Sequence, residues 1–467
     1  MFNVYKRLAL LAISFFISIL SFAQGLGNSP YSRVGLGDIM NQRGTIRNMG
    51  MGYAGSSLTS KEYINFLNPA GLANFKGKYS DSLVKFDVGF TIQYKTVTGG
   101  GISSNSNGAN INHLAFTFPV SKVYTMGLML APMTTVQNKY SYTSSVPNDP
   151  NNYSAIYKYV GDGGIYQFQW MNGIGITKDL SLGVTASYNF GNITQEASSQ
   201  LITDASNPDK ENEIGTKRKT NYSGLSFKPG FIYNRQLTIG DTVFYRDSTG
   251  RRLSIKKIPE PISFKFSGAL EVFPDIKGTE SRALIIRNPK NQLTLDSTLS
   301  KSTSHAYIPT TYRIGTSFEK AGNWTLAGDI AYTNWSNFDK NKFKNDSLSS
   351  ASYSISIGGE WTPQSVYKDK SKGYRMHRLK TYRAGFCYSQ TPIVVAGSRL
   401  YDYSASIGAS IPVGFRTKDK PLLPKLNVAF VVGQRSTFSS DQVSEMYYRL
   451  HLSMTIYDKW FHKRRIQ

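Results

Sequence analysis

The side chains that could do chemistry are few and scattered. Five histidines stand at 113, 305, 377, 451 and 462, and a single cysteine at 387. One cysteine excludes a disulfide framework and any all-cysteine metal site. A nucleophile needs an activating base in contact with it. No phosphate loop, His-Glu-x-x-His helix or Gly-x-Ser-x-Gly elbow offers that arrangement. The chain therefore reads as a non-enzyme, with no catalytic residue, no metal set and no cofactor. The ionisable residues that do share a pattern are Lys85, Asp87, Lys265, Glu271, Arg313, Asp329, Glu360, Arg383, Arg449 and His451. Each falls on the polar side of an alternating stretch. Charges of both signs on one such face suit ion pairing that stiffens a polar interior. A lipase or protease site among them is the catalytic alternative.

The elements that must hold these residues are strands. In 83–94, Val84, Phe86, Val88, Phe90, Ile92 and Tyr94 alternate with Lys85, Asp87, Gly89, Thr91 and Gln93. Strand side chains point to opposite faces with period two, so this is one greasy and one polar face. Fourteen segments read this way, near 83–96, 111–118, 122–135, 164–176, 180–190, 222–234, 262–273, 311–318, 323–335, 351–361, 381–390, 401–413, 425–434 and 446–457. The polar face is mostly Ser, Thr, Asn and Gly with sparse charge, which suits a lumen better than the charged exterior of a soluble sandwich. An even number of roughly ten-residue alternating segments is the pattern of a transmembrane antiparallel β-barrel. Connections 97–110, 136–163, 191–221 and 274–310 read as long external loops. Residues 242–246 and 253–257 read as a small hairpin about a Ser-Thr-Gly turn.

Residues 1–23 read as a cleaved signal peptide. Lys6 and Arg7 precede an apolar run over 8–20, and Ser21-Phe22-Ala23 places small residues before Gln24. No later stretch is long and apolar enough for a transmembrane helix, so the expected location is the outer membrane. The chain has 54 Lys+Arg against 30 Asp+Glu, a net charge of +24. Much of that excess falls in 235–261, 362–380, 415–425 and 458–467, on the expected periplasmic side. Solvation of these turns is one reading, and contact with anionic lipid headgroups is the other. Nucleic acid is excluded as a partner of an exported barrel.

Residues 24–80 do not alternate. They are rich in Gly, Asn and Ser but carry Tyr31, Tyr53, Tyr63, Phe66 and Phe75. Glycine permits tight turns in a narrow space, so the segment reads as an N-terminal hatch, or plug, inside a barrel of residues 81–467. Within it stand Gly52-Tyr53-Ala54-Gly55 and, some residues later, Asn68-Pro69-Ala70. Downstream, Ile308-Pro309 precedes one strand and Asn323-Trp324 opens the next, which runs into Tyr332-Thr333-Asn334-Trp335-Ser336-Asn337-Phe338. On these motifs the chain resembles the FadL family of long-chain fatty-acid transporters, with its TodX-type hydrocarbon channels, as a divergent branch. The resemblance implies a fourteen-stranded barrel and a hatch in which Gly52, Tyr53, Ala54, Gly55, Asn68, Pro69 and Ala70 gate or fix the passage. It makes Tyr332, Thr333, Trp335, Ser336 and Phe338 the barrel motif. It further implies passive passage of a hydrophobic or amphipathic small molecule, with that ligand and outer-membrane lipids as partners. The alternative is a non-transporting barrel of this kind that serves as a docking or assembly component in secretion or surface attachment. Its marker is a lumen sealed by the hatch with no apolar pocket.

Overall fold

The computed structural model describes residues 25–40, 43–73, 83–204, 206, 210–237, 242–246, 252–256, 262–306, 308–336, 338, 348–349, 351–363, 380–414, 423–437 and 442–459. The signal peptide, residues 74–80 of the expected hatch, Asn337 and most of the basic stretches lie outside them.

A two-residue strand, β1 (Asp38–Ile39), comes first. It is followed by β2 (Leu83–Gly99), β3 (Ile102–Pro119), β4 (Tyr124–Ser145), β5 (Ser154–Gly175), β6 (Leu180–Ile202) and β7 (Glu213–Leu237). A separate hairpin pairs β8 (Thr242–Arg246) with β9 (Arg252–Lys256), close to the hairpin expected there. The chain continues through β10 (Ile262–Arg287), β11 (Leu293–Ala306), β12 (Thr311–Lys320), β13 (Trp324–Asn334), β14 (Ala351–Trp361), β15 (Thr381–Val395), β16 (Ser398–Pro412), β17 (Lys425–Ser436) and β18 (Ser444–Lys459). Leaving aside β1, β11 and the hairpin, these strands close into a 14-stranded antiparallel barrel. Neighbours in sequence are neighbours in the wall, β18 pairs with β2, and β4 with β5. Each of the fourteen alternating segments contributes one barrel strand.

The alternation has a physical cause on each side. Ile330, Ile357 and Ile407 point outward and are 57%, 62% and 62% exposed, where the bilayer would cover them. Aromatic residues bound this belt. Tyr312 and Tyr332 lie 6.3 Å apart, and Tyr353 and Tyr388 6.4 Å apart, at one edge; Trp361 and Tyr382, 6.2 Å apart, mark the other. Such girdles are usual at the two interfaces of a membrane barrel. Inward positions are polar and buried, among them Asp87, Lys265, Glu271, Asp329, Arg383, Arg449 and His451.

The expected external loops prove to be mostly strand. β12, β13 and β14 have 10 or 11 residues, whereas β5, β6, β7 and β10 have 22, 23, 25 and 26. Crossing a bilayer takes about 9–11 residues. One side of the barrel therefore rises well beyond the belt, and β11 extends it by pairing with the upper part of β10 alone. No alternation announced these extensions, because outside lipid neither face must be apolar. The stretch Ser103-Ser104-Asn105-Ser106-Asn107 in β3 is polar on both faces.

The wall has one weak seam. β3 and β4 pair only from Leu114↔Leu130 to Pro119↔Thr125, although β4 pairs with β5 from Tyr124 to Ser145. Beyond Leu114 the two strands part. β1 enters there and pairs Asp38 with Thr135 and Ile39 with Thr134.

The belt makes a direct prediction. Ile357→Arg, on the outward face of β14, should destabilise the barrel by about 2–4 kcal/mol. Urea unfolding from lipid vesicles would measure this, and an unshifted midpoint would contradict the placement of the belt.

Candidate functional site

The site is the lumen, and residues 25–40 and 43–73 run through it. The path is permitted by backbone lying directly on backbone. Gly50, Met51 and Gly52 cross the inner faces of β14, β15 and β16, with Met51 and Gly52 over Gly358 and Gly385 and Gly50 over Gly408. A Cβ on Gly358 would stand 2.1 Å from the Met51 carbonyl oxygen, and one on Gly385 would stand 2.1 Å from the Met51 carbonyl carbon. Gly52 itself has φ +62° and would put a Cβ 2.4 Å from the Phe386 nitrogen. Its own N–H donates to Ser406 Oγ at 2.8 Å. Glycines on both surfaces are therefore a joint requirement of the crossing.

Tyr53 follows with φ +68°, and its hydroxyl accepts from Arg449 Nη1 at 3.4 Å. Ala54 is fully buried and packs with Met51, Leu58 and Ala327. The N–H groups of Gly55 and Ser56 donate to Asp329 Oδ2 at 3.0 and 2.8 Å, and Ser56 Oγ donates to Asp329 Oδ1 at 3.0 Å. Asn68, also fully buried, caps the 3-10 turn Pro69–Leu72. Its Oδ1 accepts from Ala70 N at 3.0 Å, and its Nδ2 donates to Phe231 O and Gly268 O at 3.0 and 3.3 Å. Pro69 and Ala70 lie over Gly183 of β6, where a Cβ would meet the Ala70 nitrogen at 2.3 Å.

Charge fixes the segment to one arc of the wall, from β14 to β18. Arg47 Nε donates to Glu360 Oε2 at 3.0 Å, and Arg383 Nε reaches the same oxygen at 3.1 Å. The Tyr63 ring lies under three cations, with Arg47, Arg383 and Lys425 at 4.8, 5.1 and 5.2 Å from its centroid. Lys425 pairs with Glu62 at 2.6 Å. At the far end of the same strand, Arg435 pairs with Asp38 at 2.8 Å, with Asp402 at 3.3 Å and with Glu445 at 3.5 Å. Burial alone would raise the Asp38 carboxyl, but Arg435, with Lys95 and Arg43, holds it below the usual carboxylate range.

Beside this network is a cavity of about 180 Å³. One end is apolar, lined by Leu36, Met133, Phe273, Ile308 and Trp335; the other is lined by Arg43, Asp402, Arg435 and Arg449. The barrel motif divides around it. Tyr332 points outward and is 43% exposed, while Thr333 is buried and shares a 2.9 Å hydrogen bond with Thr311. Trp335 and Phe338 are buried 5.3 Å apart, with Trp335 Nε1 donating to Ser352 Oγ at 2.9 Å. Ser336 closes a local turn by donating to Asn334 Oδ1 at 2.7 Å. The cavity thus gathers Tyr53, Thr333 and Trp335, whereas Gly52, Ala54, Gly55, Asn68, Pro69 and Ala70 do not line it. The charged residues of the segment, Asp38, Arg47 and Glu62, were not singled out from the sequence. Their signal was there: ionisable side chains in a glycine-rich stretch, opposite inward-facing Arg383, Lys425 and Arg435 on the strands.

A family model described as BamG matches residues 4–467 of the chain. No curated protein sequence matches it. Among solved structures, a Pseudomonas aeruginosa FadL homologue superposes with a TM-score of 0.53 at 14% identity, over 90% of this chain and 99% of that one. The Pseudomonas putida toluene transporter TodX superposes with a TM-score of 0.50 at 13% identity, over 91% and 100%. At such identities the likeness is one of fold.

Two substitutions test the pinning. Glu360→Ala leaves Arg47 and Arg383 buried beside each other without their carboxylate and should cost about 3–5 kcal/mol. Asn68→Ala orphans buried backbone groups and should cost about 1–3 kcal/mol. Both are read as shifts of the urea unfolding midpoint in lipid vesicles. Two midpoints at the wild-type value would mean that the segment is a passenger of the barrel rather than part of its interior.

Proposed function

The chain belongs to the BamG family, and from that premise we propose that it is a closed outer-membrane barrel acting as a docking or assembly component of a secretion or surface-attachment system. In this reading residues 1–23 direct export and are removed after Ala23, and residues 24–80 are the hatch. Gly52, Tyr53, Ala54 and Gly55 seat the hatch on the wall, and Asn68, Pro69 and Ala70 fix its far end. Lipids of the outer membrane surround the belt.

The observation behind this reading is the pinning of the hatch: ion pairs and hydrogen bonds tie it to the arc β13–β17, and Asn68 ties it to β7 and β10. To clear a route, the links Arg47–Glu360, Glu62–Lys425 and Asp38–Arg435 and the Asp329 contacts to Gly55 and Ser56 must all be released. Breaking one buried pair costs about 3–5 kcal/mol. A ligand burying about 200 Å² of apolar surface returns about 5 kcal/mol. Ligand binding in the cavity therefore offsets one link and not the set. A barrel that stays shut is useful for the surfaces it presents, and the raised strands β4–β7, β10 and β11 are the largest of these.

The cavity supports a second reading, passage of a hydrophobic or amphipathic small molecule. Its apolar end would hold a hydrocarbon chain, and its arginines would hold an anionic head. This apolar pocket departs from the pocket-free lumen of a pure docking barrel, but its volume of about 180 Å³ is smaller than the roughly 300–1,000 Å³ of ordinary ligand sites. The wider spaces of about 1180 and 680 Å³ among the raised strands are lined by charged residues such as Arg33, Glu196, Lys217 and Arg287, and transport therefore comes second.

The two readings separate in one pair of measurements. The docking reading expects no steady conductance from the wild-type protein in planar bilayers, and unchanged uptake of radiolabelled fatty acid or toluene when the protein is deleted from its cell. A fall in uptake on deletion, restored by wild type and not by Trp335→Ala, would instead establish transport.

A further inference from the structure

We infer that residues 25–40 are a removable segment, and that the seam they fill between β3 and β4 is an acceptor for an extended polypeptide strand of a partner. This rests on the docking reading and names the surface that docks.

Where β3 and β4 part, both strands would present unpaired backbone groups in the wall, which lipid does not tolerate. The chain's own N-terminal segment satisfies them. Met40 N donates to Met133 O and Ser29 N to Gln137 O, each at 2.8 Å. Lys139 N donates to Asn28 Oδ1 at 2.8 Å, and Gln137 N to Ser32 Oγ at 3.1 Å. On the other side Gly25 makes an isolated bridge to Ala109. The fit needs small residues: a Cβ on Gly108 would stand 2.3 Å from the Gly25 oxygen, and a Cβ on Gly37 would stand 2.4 Å from the Thr135 oxygen. The stitching is part backbone and part side chain, so it is sparser than a full ladder. A strand that pairs continuously with both edges would bind the seam better than the present occupant.

Release here is also unlike release elsewhere in the lumen. Freeing Arg47 would deprive buried Glu360 of its closest partner. Freeing Asp38 leaves Arg435 still paired with Asp402 and Glu445. Arg435 thus keeps carboxylate partners while the segment leaves, and the backbone groups of β4 are left open to an incoming strand. The occupant that the seam fits is an extended polypeptide with glycine or another small residue opposite Gly108 and an acidic residue opposite Thr135, in reach of Arg435.

The test is hydrogen exchange on the full-length protein in nanodiscs, with the amides of Gln137 and Lys139 as reporters. Asp38→Ala and, independently, Gly37→Val should speed exchange at both by about tenfold or more, while amides in 125–130 keep wild-type protection. A synthetic peptide of residues 25–40 added to either variant should restore protection. Unchanged exchange at the reporters in both variants would overturn the proposal, since the segment would then be a fixed part of the wall. Faster exchange along all of β4 would overturn it too, because the substitutions would be unfolding the barrel. Failure of the peptide to restore protection would remove the acceptor role. A conducting wild-type barrel would defeat the docking reading and leave these exchange results standing.

Discussion

A charge taken out of water must meet its counter-charge, and this constraint organises the molecule. The barrel turns its greasy faces to lipid, so its ionisable residues crowd into the lumen. There Glu360 is shared by Arg47, which arrives from the N-terminal segment, and Arg383 of β15. Asp329 is satisfied by the N–H groups of Gly55 and Ser56. Remove the segment, and the strands keep carboxylates and guanidiniums without the partners it brings. Wall and filling are thus one electrostatic structure, and the glycine pairs at Met51–Gly52 bring the two backbones close enough for the charges to meet.

How much of this was legible in the sequence varied with the surroundings of each stretch. Strand positions were plain wherever lipid lay on one side and lumen on the other, as at Tyr353, Ile355 and Ile357 against Ser354 and Ser356 in β14. The same strands became unreadable above the belt. Tyr140, Ser141 and Tyr142 of β4 face no apolar medium, so nothing forces them to alternate. The candidate residues were legible in kind but not in grouping. Gly52, Asn68 and Trp335 all face the interior, yet only Trp335 lines the cavity. Distance along the chain said nothing of this, because the segment crosses the lumen from one wall to another between residues 52 and 68. The pairing of Asp38 with Arg435 spans nearly the whole chain and depends on barrel closure, which no local pattern encodes.

The seam and the pinned interior divide the labour of closure. Around β14–β16 the segment is held by links whose loss would strand a buried charge. Along β4 it is held by sparse hydrogen bonds that another strand could replace, and by Asp38, whose loss leaves Arg435 with other carboxylates. A single stretch of some fifty residues is therefore anchored at its middle and exchangeable at its start, and the transition falls between Asp38 and Arg47.

The tall strands have a consequence for how this chain can vary. In β6, Leu182 and Val184 sit where lipid would cover them, and a lysine at either would be opposed by the membrane. Leu201, far up the same strand and 36% exposed, answers to no such rule. One continuous ladder of hydrogen bonds thus carries two regimes of permitted substitution, one enforced by hydrocarbon and the other only by backbone pairing. The upper halves of β5, β6, β7 and β10 are free to drift in sequence, and to acquire new contacts, without disturbing the register that keeps the barrel in its membrane.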